Sequence, residues 1–230
     1  MAKLLVATSG LIALAAAPAL AADMSVPFTA PPVPAFNWTG FYLGANLGLL
    51  GSKFFITDAA AASAFSAINS DGLMGGGQVG YNFQAGAFVF GVEFDGDGTT
   101  LKFHSSFLPT PAGSLLQASA TTPWVTTLAG RLGLAAGPWL FYGKGGAGWV
   151  DNRVVFTDLT TGLSATTTNT NTGWLAGAGV EYAVVPNWTV KFEYDHIGVQ
   201  DWTAGSPVAG DSINVHRNVD LFKTGFNYKL

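Results

Sequence analysis

The sequence predicts an all-β fold, an eight-stranded antiparallel up-and-down transmembrane β-barrel, on three observations. Apolar residues alternate with small or polar ones at a period of two over eight segments. Six of the seven tryptophans stand at segment ends, where a membrane barrel carries its aromatic girdles. Charged residues make up 10% of the chain, against about 25% in ordinary soluble domains. Mean hydropathy is +0.33, yet past the N-terminus no run of about 18 apolar residues offers a transmembrane helix. Closed strands are the other structure that satisfies every backbone group in a bilayer.

The elements follow in order. Residues 1–21 read as a secretory signal: Lys3, an apolar stretch from Leu4 to Ala17, and the small-x-small site Ala19-Leu20-Ala21. Residues 22–36 form a periplasmic linker rich in proline (Pro27, Pro31, Pro32, Pro34), and 37–230 form the barrel. In the first strand Phe41, Leu43, Ala45, Leu47 and Leu49 oppose Tyr42, Gly44, Asn46 and Gly48. The second sets Leu73, Val79, Tyr81 and Phe83 against Gln78, Gly80 and Asn82. The third sets Phe88, Phe90, Val92 and Phe94 against Gly91, Glu93 and Asp95. In the fourth, Leu128, Leu132 and Leu134 oppose Thr127, Ala129 and Arg131. The fifth opposes Trp139, Phe141, Ala147 and Trp149 to Tyr142, Lys144 and Gly146. The sixth opposes Trp174, Ala176, Ala178, Val180 and Tyr182 to Gly177, Gly179 and Glu181. Trp188, Val190, Phe192 and Tyr194 face away from Lys191, Glu193 and Asp195 in the seventh. The eighth carries Phe222, Thr224, Phe226, Tyr228 and Leu230 against Lys223, Gly225, Asn227 and Lys229.

Tight turns are predicted at Gln84-Ala85-Gly86, Ala136-Gly137-Pro138 and Val185-Pro186-Asn187, and long loops near 51–71, 96–121, 151–172 and 200–213. Long loops at one rim and short turns at the other, with an even strand number, put both termini on the periplasmic side. Trp38, Trp139 and Trp188 then belong to the periplasmic girdle and Trp124, Trp149 and Trp174 to the outer one, with Trp202 in the last long loop beyond the wall.

Glu93, Arg131, Lys144, Glu181, Lys191, Glu193 and Lys223 all fall on the non-apolar parity, so none meets lipid, where a Lys or Arg at midplane costs about 2–4 kcal/mol. An eight-stranded barrel is just wide enough to be filled by side chains. These residues with Asp195 are therefore read as a lumen charge network, paired because an uncompensated buried charge is expensive. The paired carboxylates are read as part of that network rather than as acid/base groups.

The ordered series Trp38-Thr39-Gly40-Phe41-Tyr42-Leu43-Gly44, Gly80-Tyr81-Asn82-Phe83-Gln84, Phe90-Gly91-Val92-Glu93-Phe94-Asp95, Ala129-Gly130-Arg131-Leu132-Gly133 and Tyr142-Gly143-Lys144-Gly145-Gly146-Ala147-Gly148 resembles alphaproteobacterial outer-membrane surface antigens, a porin-family group with an OmpA-like barrel. Gly179-Val180-Glu181-Tyr182, Trp188 to Tyr194 and Lys223 to Tyr228 continue it, over about residues 38 to 230. The resemblance implies a barrel in the outer membrane of a Gram-negative bacterium, assembled by the outer-membrane insertion machinery and exposed as a surface antigen. Some members are linked to porin activity or haemin binding. Members commonly end in an aromatic residue; this chain ends in Leu230.

Other motifs point nowhere further. Gly143 to Gly148 lacks the strand–loop–helix context of a phosphate loop, and Gly75-Gly76-Gly77 likewise. His104-Ser105-Ser106 resembles the His-x-Ser of outer-membrane lipid A hydrolases, without a third member. His104, His196 and His216 share no metal-ligand spacing, and cysteine is absent. A net charge of −4 argues against nucleic acid as a partner. The sequence thus predicts no catalytic residue and no cofactor. Its expected partners are outer-membrane lipid, the insertion machinery and a surface ligand met through the loops, with a narrow porin as the alternative function.

Overall fold

A computed structural model of the chain describes residues 36–58, 63–109, 115–205 and 212–230. The expected signal peptide, and the linker up to residue 35, lie outside the described residues. Ten strands run in chain order: β1 Gly40–Asp58, β2 Ser63–Ala85, β3 Phe88–Thr99, β4 Lys102–Pro109, β5 Leu115–Thr121, β6 Trp124–Ala136, β7 Trp139–Asp158, β8 Ser164–Val185, β9 Trp188–Gly205 and β10 Ser212–Lys229. Eight of them close a ring, β7-β6-β3-β2-β1-β10-β9-β8, with β8 returning to β7. All pairings are antiparallel, and β1 meets β10 from Tyr42↔Lys229 to Asp58↔Ile213. The remaining two strands, β4 and β5, make a hairpin that extends the sheet from the upper half of β7, where Arg153 pairs with Thr121.

Parity decides which residues meet lipid. On β1, Phe41, Leu43, Leu47 and Leu49 are exposed, while Tyr42 and Asn46 are buried. The same alternation holds around the ring, with Phe90, Leu132, Phe141, Phe192 and Phe226 outward. At one rim the strands are joined by two-residue connections. Gly137 takes φ +60 and precedes Pro138, whose ring fixes φ near −65°, which is the II′ geometry that matches strand twist.

The other rim differs from the expectation of long loops. β1 and β2 continue to Asp58 and Ser63, β7 and β8 to Asp158 and Ser164, and β9 and β10 to Gly205 and Ser212, while 96–121 holds the β4–β5 hairpin. Strands of 20 and 22 residues are about twice the length needed to cross a bilayer, so the hairpins rise beyond the ring as arms. The physical reason lies in β-branched residues such as Val154, Val155 and Thr166 to Thr168, which keep the chain extended where loops were expected. Trp202 is on β9, paired with Val215, rather than in a loop. His104 is on β4, paired with Ser119.

Candidate functional site in the barrel lumen

The ring encloses a column of side chains in layers. At the short-turn end, Trp38, Val89, Leu140, Tyr142 and Ala183 pack together, with Phe36 and Ala135 against them. Further up lies a charged layer. Above that, Leu50, Met74, Leu101, Val125, Ala129, Val150, Leu175, Ile197, Val199, Val219 and Leu221 form a second apolar cluster. Beyond it the Arg217 guanidinium donates to Ser52, Asn152 and Thr122.

The charged layer brings together all eight predicted network residues. Arg131 on β6 reaches Glu93 on β3 at 3.2 Å and Glu181 on β8 at 2.8 Å. Its guanidinium lies 3.9 Å from the centre of the Tyr142 ring and 5.5 Å from that of Tyr42. Lys144 on β7 lies 3.1–3.4 Å from Glu93, Asp95, Glu193 and Asp195. Lys191 on β9 meets Glu93 at 3.2 Å and Glu193 at 3.5 Å. Lys223 on β10 meets Asp95, Glu193 and Asp195 at 3.1, 3.0 and 2.9 Å. Each ammonium touches acids from two strands, so the pairs interlock across the bore.

The sequence reading missed several members. Asp95 pairs with three lysines, Lys144, Lys191 and Lys223, and accepts the Thr127 hydroxyl at 3.1 Å; its place two residues after Glu93 was the available signal. Tyr42 donates to Glu93 at 2.9 Å and Tyr142 to Glu193 at 2.7 Å. Glycine makes room for both: a Cβ at Gly80 would overlap the Tyr42 hydroxyl, and one at Gly179 that of Tyr142. An amide relay flanks them, from Asn46 to Gln78 (3.0 Å), Gln78 to Asn227 (2.7 Å) and Asn227 to Glu181 (2.7 Å), and Thr189 also donates to Glu181. Both Asp97 oxygens are buried and take no hydrogen bond from protein groups. Oxygens of Glu93, Asp95 and Glu193 lie within 4.8 Å of one another, a spacing that suits a metal ion. Here Lys144 and Lys191 supply the positive charge among them. Between the lower apolar layer and the charges lies a cavity of 10 Å³ lined by Trp38, Tyr42, Asn82 and Glu181, room for about one water.

Five of the six girdle tryptophans point outward. Trp139 and Trp188 stand beside tight turns, and Trp124, Trp149 and Trp174 at the opposite rim. Trp38 corrects the expectation: it is 3% exposed and faces inward, its ring 4.7 Å from that of Phe36. Its parity matches Tyr42, not Phe41, and its backbone N–H donates to the Gln84 side chain on the neighbouring strand β2. The side chains of His104, Ser105, Ser106 and Trp202 lie outside the described set.

The family model for the outer membrane protein beta-barrel domain matches residues 7–229. The 31 kDa outer-membrane immunogenic protein of Brucella melitensis is 35% identical over 240 residues, covering 96% of this chain and 98% of its own. The 22 kDa outer membrane protein of Rhizobium leguminosarum is 33% identical, over 74% of this chain and 69% of its own. Neisserial surface protein A, a solved structure, aligns with 84% of this chain and 98% of its own at 14% identity, with a TM-score of 0.43. With its closed antiparallel ring, lipid-facing apolar wall and full-length match, the chain belongs to the outer membrane protein beta-barrel family.

Proposed function

We propose that this protein is a non-enzymatic surface antigen and structural barrel of the outer membrane, its lumen closed by the charge network, its termini periplasmic and its arms exposed to ligands outside. The observation that carries the closed-lumen reading is the interlocked ion-pair layer held between two apolar clusters. Hydrated ions crossing it would have to part contacts of 2.8–3.5 Å on at least two strands at once, in a medium where unpaired charge is costly. Pairing of the lumen carboxylates with lysine and arginine also supports a structural role over acid/base chemistry. The relatives' printed names describe outer-membrane immunogenic proteins, which favours the antigen reading.

Planar-bilayer recording of the purified barrel is the test. We expect no steady conductance from the wild-type protein. Steady conductance that changes when Lys144 and Lys223 are exchanged for glutamate would establish the narrow porin instead.

A further inference from the structure

The outer wall carries a polar row where its parity otherwise gives aromatics and aliphatics. Cross-strand register places His196 (β9), Asp220 (β10), Gly51 (β1) and Asp71 (β2) side by side. One step toward the membrane centre, the same strands present Tyr194, Phe222, Leu49 and Leu73. These four line a shallow, open apolar furrow on the wall, with Ala178 and Thr224 also among its lining residues. One step the other way stand Trp174, 59% exposed, and Lys53.

The row is bonded to the furrow. The Tyr194 hydroxyl donates to Asp220 at 2.7 Å, His196 Nδ1 lies 2.7 Å from the same carboxylate, and the Trp174 ring lies 5.3 Å from that of His196. Gly51 leaves a notch between two acids: a Cβ there would meet Asp71 at 3.4 Å and the Asp220 carbonyl at 3.9 Å.

We propose that this sector is a binding site for one glycolipid of the outer leaflet, its acyl chain in the furrow and its saccharide on the polar row. The chemistry selects that head. An exposed indole offers a face to sugar C–H groups, and the carboxylates of Asp220 and Asp71 accept charge-assisted bonds from hydroxyls. Asp220 and Asp71 outnumber Lys53, so a donor-rich sugar suits the row better than a bare phosphate. An apolar groove beside a few placed polar groups is the usual form of a small-molecule site. The assignment rests on the outward orientation of the arms proposed above, which puts the row in the outer leaflet.

Native mass spectrometry of the folded barrel, mixed with equimolar acylated glucosamine disaccharide and phosphatidylethanolamine, tests it. The wild type is expected to retain one glycolipid about tenfold over the phospholipid, an advantage of about 1.4 kcal/mol. Asp220→Asn combined with Trp174→Ala should erase the preference, and so should Gly51→Val, which fills the notch at a position with room for a side chain. Trp124→Ala, across the ring on β6, should leave it unchanged. Equal retention of both lipids, preference for the phospholipid, or a preference that survives Gly51→Val would overturn the proposal. Because retention is read in detergent, where orientation has no effect, failure here is distinct from failure of the proposed topology.

Discussion

Arg131 links three strands of the lumen to its own. It ties Glu93 to Glu181, accepts a place against the Tyr142 ring, and donates to the Tyr42 hydroxyl at 2.6 Å. Replacing it with methionine keeps the volume and leaves Glu181 without a cation, its remaining bonds coming from Asn227 and Thr189. We expect Arg131→Met to destabilise the barrel by about 3–5 kcal/mol, the cost of breaking a buried pair from one side. Urea unfolding in detergent micelles measures it, and a loss below about 1 kcal/mol would show the layer to be loosely paired. Much of this site was legible from parity, since the eight charges were placed inside by counting in twos. Applied consistently, the same count would have added Asp95 and turned Trp38 inward. The tyrosines were half legible: parity put Tyr42 and Tyr142 inside, but nothing local names the carboxylate that each hydroxyl reaches.

At the scale of elements, the upper apolar layer had a signal that the alternation concealed. Leu49-Leu50, Leu73-Met74, Trp124-Val125, Trp149-Val150, Trp174-Leu175 and Leu221-Phe222 each break the period with two apolar residues in a row, one facing lipid and one facing the bore. The arms were less legible, because Ser, Thr and Asn suit both loops and exposed hairpins, and long-range pairing chose the hairpin. The β7–β8 arm closes on its own turn. Asp158 accepts the Thr160 N–H at 2.8 Å and the Thr161 hydroxyl at 2.9 Å, and Gly162 takes φ +74. The Thr160 N–H, followed by the Thr161 groups, holds the Asp158 carboxyl below the usual carboxylate range. A depressed folded-state value means that the turn's stability is full above the unfolded carboxyl's pKa of about 3.9 and is lost as pH falls through the folded one. Amide exchange at Thr160 and Thr161 should therefore gain protection on going from acid to neutral pH. Asp158→Asn should flatten that rise, and an unchanged profile in the variant would assign the turn's order to the backbone alone.

For the whole molecule, the two rims are unlike: two-residue turns at one, arms several residues taller than the membrane at the other. That asymmetry argues the orientation in which the arms leave the cell. The chain contains no cysteine, so Thr161→Cys at the tip of the β7–β8 arm creates a unique thiol. A membrane-impermeant maleimide should label it on intact cells, whereas Gly86→Cys at a short turn should label only after the envelope is opened. The reverse pattern would invert the topology. One further consequence comes from the seam, where the first strand pairs with the last and Leu230 donates its N–H to Phe41. Nearly the full length of the polypeptide separates the two edges that must meet. No emerging fragment can complete the cylinder, and every shorter intermediate carries two unpaired strand edges. Closure therefore has no local nucleus: it brings together two strands about 170 residues apart, and the wall is sealed only when β10 is in place against β1.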